Sequence, residues 1–270
     1  MSEKEHAAIG IFDSGVGGLT VTREIMMQMP GERLVYFGDT ARVPYGTKSR
    51  DTIIRYSRQN IRFLKQQNVK AIVVACNTAS AFVEEVQRDF DIPIMGVVRP
   101  GSKAAIASTR NKRVGVIATQ ATIGSQIYSR VIHETNPEIQ VFGKACPLFV
   151  PLVEEGWIED PVTEEVVRRY VRELQEKDID TLILGCTHYP LLRNLIGRIM
   201  GPEITLVNPA YETALELKAL LEQEGLKSNQ EEQSAHAFYV SDAAENFRHF
   251  AQSILPCDIT KTREIAIEEF

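Results

Sequence analysis

The chain has 270 residues, of which 44% are hydrophobic and 24% charged, and it carries a net charge of −6. That is material for one large domain or two small ones. No block of Lys or Arg stands out, which argues against a nucleic-acid or anionic-membrane partner, and no apolar run approaches the roughly 20 residues of a membrane helix.

The first six residues are polar and lead into a short apolar run, the pattern of neither a signal peptide nor a transit peptide. Residues 7–13 then predict a strand. It ends on Asp13-Ser14-Gly15-Val16-Gly17-Gly18, which opens a helical pattern. Glycines there let the chain turn sharply and bring backbone N–H groups towards an anion at a helix N-terminus. A dinucleotide fingerprint needs a third glycine where Thr20 stands, and a Walker-type phosphate loop needs a Gly-Lys-Ser/Thr ending that is absent. A small carboxylate or phosphate therefore fits better than a nucleotide; the alternative is a tight turn that only caps a helix. Asp13, an acid at a strand's carboxyl end, stands at the usual ligand edge of an α/β sheet.

A second strand is predicted at 34–38. The stretch 38–46 that follows is dense in polar side chains with Pro and Gly, and reads either as a shaped binding loop or as a plain surface connection. An amphipathic helix at 50–66 leads to strands at 71–76 and 94–98. Further strands fall at 113–118, 139–144, 181–186, 205–207 and 237–240, with helices at 164–177 and 211–223 among them. The polar segment 223–235 reads as an exposed loop. Continuous apolar strands alternating with helices imply parallel sheets covered on both faces, so the fold class is α/β. Pro100-Gly101 and Asn208-Pro209 are breaker pairs after the fourth and eighth strands, candidate crossings between two domains.

Four cysteines without close pairing argue against a disulfide framework and for the reducing cytoplasm. Two of them occupy matched settings. Cys76 ends one apolar run and is followed by Asn77 and Thr78; Cys186 ends another and is followed by Thr187 and His188. Buried cysteine often only fills space. Two at equivalent strand ends, each at a helix start that favours thiolate, point to chemistry instead. Cys146 and Cys257, beside prolines, read as structural. His188 fits a proton-handling or thiolate-supporting role better than a metal site, because the close cysteine pairs of a zinc site are absent. Glu154-Glu155 reads as a solvated helix end or as part of a site.

Two thiols that face one ligand can remove a proton from one side of a carbon and return one to the other. That is the requirement for inverting the α-carbon of an amino acid with two bases. Without a pyridoxal electron sink, the carbanion must be stabilised by desolvation and fixed dipoles. Asn77, Thr78, Thr187 and His188 are the groups placed to hold the amino and carboxylate ends.

Five segments, 9–18, 36–46, 75–79, 146–156 and 184–190, together resemble the bacterial glutamate racemases of the cofactor-independent aspartate/glutamate racemase superfamily. The resemblance implies two pseudo-symmetric α/β domains with the active site in the cleft between them. The first would comprise 1–98 plus 209–270 and the second 99–208, with the chain crossing near Arg99-Pro100 and Asn208-Pro209. It implies Cys76 and Cys186 as the acid/base pair, Cys186 taking the proton from L-glutamate and Cys76 from D-glutamate. Asp13 would assist on the Cys76 side, and Glu154 and His188 on the Cys186 side. Asp13, Ser14, Tyr45, Gly46, Asn77, Thr78, Thr119, Thr187 and His188 match positions that bind glutamate. It further implies no cofactor and no metal, a cytoplasmic homodimer, and D-glutamate destined for peptidoglycan. An aspartate racemase is the near alternative. A thiol hydrolase or lyase using Cys186 and His188, or a small-acid- or metal-binding protein, are the more distant ones.

Overall fold

A computed structural model of the chain describes residues 7–231 and 236–270. The predicted loop at 223–235 thus lies partly outside the described residues. In chain order the strands are β1 (Ala8–Asp13), β2 (Leu34–Gly38), β3 (Val69–Val74), β4 (Ile94–Gly96), β5 (Arg113–Ala118), β6 (Gln140–Ala145), β7 (Thr181–Gly185), β8 (Thr205–Val207), β9 (Ala237–Val240) and β10 (Arg263–Glu264). The helices are α1 (Leu19–Gln28), α2 (Arg50–Lys65), α3 (Asn77–Ser80), α4 (Val83–Gln87), α5 (Val98–Ser108), α6 (Gln120–Gly124), α7 (Ile127–Thr135), α8 (Phe149–Glu154), α9 (Pro161–Gln175), α10 (Arg193–Met200), α11 (Pro209–Gln223) and α12 (Ala244–Gln252). Among the described residues no helix is long and apolar enough to cross a membrane.

Two sheets form, both parallel throughout: β10-β9-β2-β1-β3-β4 and β6-β5-β7-β8. Within the first, β2-β1-β3-β4 repeats the order β6-β5-β7-β8 of the second. Cys76 follows β3 and Cys186 follows β7, the corresponding third strands in chain order, so the sequence echo reflects a structural one. Every residue of β1 and β7 is buried, because helices cover both faces of each sheet. One face of the first sheet packs Ile9, Ile11, Tyr36 and Val73 against α1, α11 and α12, and the other packs Phe12, Phe37 and Val74 against α2. The second sheet packs Leu182 and Leu184 against α9 and α10, and Val114 and Val116 against α5 and α7.

Several predicted bounds shift for identifiable reasons. Cys76 and Cys186 lie just beyond β3 and β7 rather than at their last residues. The predicted strand 94–98 stops at Gly96, since Val98 begins α5. Pro100-Gly101 is therefore inside a helix and not in a loop. Pro100 is tolerated there because the first helical turn has no N–H partners to lose. Asn208 caps α11, its side chain accepting from Ala210 N at 3.1 Å, with Pro209 at the first helical position. The two breaker pairs meet in space: a Cβ on Gly101 would lie 2.9 Å from Pro209 Cγ. The two connections between the sheets thus run side by side. β10 went unpredicted, because its two residues are charged and exposed.

A buried ion pair ties the base of the first sheet. Lys70 of β3 meets Glu32 at 2.6 Å, both side chains almost wholly buried. Lys70 Nζ also donates to Leu226 O at 2.7 Å, and Ser228 N donates to Glu32 Oε1 at 2.7 Å. The pair clamps the chain leaving α11 under the sheet.

Candidate active site

The carboxyl ends of β1 and β3 deliver one half of the site. Asp13 ends β1 and is buried; its Oδ2 accepts from Gly15 N at 2.9 Å, while Oδ1 has no partner among the described residues. Burial raises its carboxyl above the usual range, with the His188 charge and the Gly15 and Gly18 N–H groups pulling back. Cys76 is buried, and its thiol donates to Ser14 Oγ at 3.6 Å. The expectation that a helix start would favour thiolate fails here. Burial pushes the Cys76 thiol up to about 12 and the Asp13 charge adds to this, outweighing the Ala79 N–H and the Ser14 hydroxyl. The helix it caps has only four residues, too short to offset desolvation. The glycine loop makes room for the other half. A Cβ on Gly17 would lie 2.2 Å from Thr187 Oγ1 and 2.5 Å from His188 Nδ1.

The second half is built on β7. Cys186 is buried, with Sγ 3.9 Å from His188 Nδ1, and His188 Nε2 lies 2.9 Å from Glu154 Oε1 at the end of α8. Glu154 is thus engaged and not merely solvated. Burial works against the imidazolium, but the hydrogen bonds and charges of Cys186 and Glu154 win and lift His188 to about 10. Both ring nitrogens are occupied, so sulfur, imidazole and carboxylate form a line. Thr187 accepts at its carbonyl from Thr20 Oγ1 at 2.8 Å, a bond between the two halves.

Three hydroxyls close another side. Thr78 Oγ1 lies 3.1 Å from Thr119 Oγ1 and 3.2 Å from Thr122 Oγ1, and the latter two are 2.9 Å apart. Thr119 directly follows β5, at the same carboxyl edge of its sheet at which Asp13 ends β1. Two unlike thiols thus stand at matching strand ends, each with its own polar partners, in a site closed by contacts between the halves. A cavity of about 590 Å³ beside α4 and α5, lined by Phe82, Arg99 and Arg130 among others, holds none of these residues. Among the described residues no group of three or more His, Cys, Asp or Glu side chains is arranged to hold a metal ion.

A family model described as Asp/Glu/Hydantoin racemase matches residues 9–215. The chain belongs to the Asp/Glu/hydantoin racemase family. A glutamate racemase of Geobacter metallireducens is 48% identical over 262 residues, covering 97% of each chain. The crystal structure of glutamate racemase from Francisella tularensis in complex with D-glutamate matches with a TM-score of 0.91 at 38% identity, covering 98% of this chain and 100% of that one. That of the Thermus thermophilus enzyme in complex with beta-chloro-D-alanine matches with a TM-score of 0.89 at 42% identity, over 98% and 99% of the chains.

In this racemase the loop after β2 is no plain surface connection. Asp39 is fully buried and accepts from Arg42 Nε at 2.8 and 2.9 Å, from Ser241 Oγ at 3.0 Å and from the Tyr45 hydroxyl. Asn60 Nδ2 donates to Tyr45 OH at 3.0 Å. The Tyr45 hydroxyl is therefore spent inside the loop, and the part of the segment that approaches the second half is Gly46, whose Cβ would sit 3.1 Å from Thr119. Sequence reasoning missed Asp39 and Thr122. Only Thr122 had a faint signal, its spacing of three from Thr119. Cys146 and Cys257 pack into the apolar cores.

The racemase's His188 gives a pH prediction. A value raised from 6.5 to about 10 means the imidazolium stabilises the fold fully below about pH 6.5, and that this contribution is lost as pH climbs to about 10. Glu154→Gln removes one of the charges that hold the proton. Melting temperatures measured from pH 6 to 10 should therefore fall less steeply for Glu154→Gln than for the unaltered chain; equal slopes would count against the coupling.

Proposed function

We propose that the chain is a glutamate racemase that inverts the α-carbon with Cys76 and Cys186 on opposite faces and no cofactor. The observation that carries this is the placement of two buried thiols at equivalent strand ends of two like sheets, with different partners. In the L to D direction the Cys186 sulfur, as thiolate beside the His188 imidazolium, takes the α-proton. The C–H pair stays on the α-carbon, and the Cys76 thiol gives its proton to the other face. The reverse reaction exchanges the roles. A Cys76 thiol held protonated by its dry surroundings suits the donor's part. Asp13 stands on its side as Glu154 and His188 stand beside Cys186.

Asp13, Ser14, Asn77, Thr78, Thr119, Thr187, His188 and the Tyr45–Gly46 backbone would bind the amino and carboxylate groups. Most are buried, so their dipoles act on the developing carbanion with little screening by water. In this reading 1–98 plus 209–270 and 99–208 are the two domains, and the adjoining crossings at Gly101 and Pro209 are their hinge. The resemblance also carries D-glutamate supply to peptidoglycan, a cytoplasmic setting and a homodimer.

The line Cys186–His188–Glu154 also suits a thiol hydrolase, which would need no Cys76. Polarimetry with L-glutamate and L-aspartate side by side separates the readings. The expected result is decay of glutamate rotation to zero from either enantiomer without pyridoxal phosphate or metal, and entry of deuterium at the α-position in heavy water. Decay with aspartate alone would make the enzyme an aspartate racemase, and no decay with either would end the proposal.

A further inference from the structure

Tyr128 belongs to neither thiol's own turn. It sits at the start of α7 with its side chain buried. Its phenol O–H crosses to the other half of the molecule and donates to Asn77 Oδ1 at 2.5 Å. Asn77 directly follows Cys76. The same ring packs at the end of β7, where a Cβ on Gly185 would meet Tyr128 Cε2 at 3.1 Å. Gly185 directly precedes Cys186. One side chain therefore touches both thiol-bearing turns.

An asparagine amide offers an acceptor oxygen and two N–H donors on a terminal group that has two broad, opposite orientations. A phenol hydrogen on Oδ1 selects one of them, and the N–H groups are then what Asn77 has left for a ligand. A carboxylate only accepts. We propose that Tyr128 is a positioning residue for racemisation, pinning the Asn77 amide so that its N–H groups, and not its oxygen, meet a carboxylate of the bound amino acid. The proposal rests on the racemase reading above. Asn77 also borders a void of about 10 Å³ together with Cys186 and Thr187, so the pinned amide lies between the two thiol-bearing turns. Negative charge grows on the α-carboxylate as the carbanion delocalises, and a donor fixed in advance acts on kcat as well as on KM.

Tyr128→Phe keeps the ring and removes the O–H. The expected loss in kcat/KM is about ten-fold, the scale of one hydrogen bond. It must be equal for L- and D-glutamate, because enantiomers have equal free energy. Binding of glutarate, a dicarboxylate with no reactive α-centre, should weaken by a similar factor. Adding Tyr128→Phe to Asn77→Ala should cause no further loss, since the residue it acts through is gone. A purely structural role would lower the melting temperature and leave kcat/KM per folded molecule and glutarate affinity unchanged. That result, or a full further loss on the Asn77→Ala background, would overturn the proposal. Failure of the racemase reading shows separately, as an unaltered chain that leaves glutamate rotation intact.

Discussion

Cys76→Ala should fold normally and lose racemisation in both directions, with kcat down by roughly 10²–10⁴, the range for removal of a general acid or base. The substitution deletes one sulfur from a buried turn whose backbone is held independently, by Ala75 N to Phe12 O at 2.9 Å and Ser80 N to Cys76 O at 2.8 Å. Circular dichroism and melting temperature should stay close to those of the unaltered chain. Cys186→Ala should be equally inactive as a racemase. The two variants should part company in heavy water. On the two-thiol proposal Cys76→Ala would retain the base that faces L-glutamate, so deuterium should still enter L-glutamate without inversion; Cys186→Ala should label only D-glutamate. Near-normal turnover by Cys76→Ala would leave a single-thiol enzyme as the reading that survives.

The largest effect on stability is expected at Lys70. Lys70→Met leaves the Glu32 carboxyl group almost fully buried without its cation, at a cost of about 3–5 kcal/mol. Replacing buried pairs by apolar residues often restores stability. Here Lys70→Met with Glu32→Leu should recover only part of the loss, because Leu226 O and Ser228 N would lose their partners as well. Urea titrations of the single and double variants give the comparison. A double variant as stable as the parent would show that the clamp on residues 226–228 contributes nothing.

Much of this architecture can be read from local pattern. Short apolar runs marked nine of the strands, most plainly β1 and β7, where burial on both faces leaves no polar alternation to confuse the signal. Thiols at two equivalent strand ends were visible because strand, cysteine and polar residues are consecutive. What escaped depends on distance along the chain. Thr122 reaches Thr78 across 44 residues and Tyr128 reaches Asn77 across 51, and no local spacing encodes either. The protonation of Cys76 escaped for another reason. A helix start was legible, but its length of four residues and the dryness around the sulfur were not, and these reverse the sign of the expected shift. At Pro100-Gly101 only the strand end was displaced, because a proline in a first helical turn looks, in sequence, like one that ends a strand.

The strand order also bears on how the protein comes into being. A ribosome releases β1 to β10 in sequence. The sheet that leads to Cys186 has all its strands once Val207 has emerged, whereas β2 keeps a bare edge until Ala237 arrives to pair with Val35. An unpaired edge is open to pairing with neighbouring chains, so the nascent protein is most exposed to misassembly along β2. Of the two sheets, the one that carries Cys76 is the later to gain all its strands.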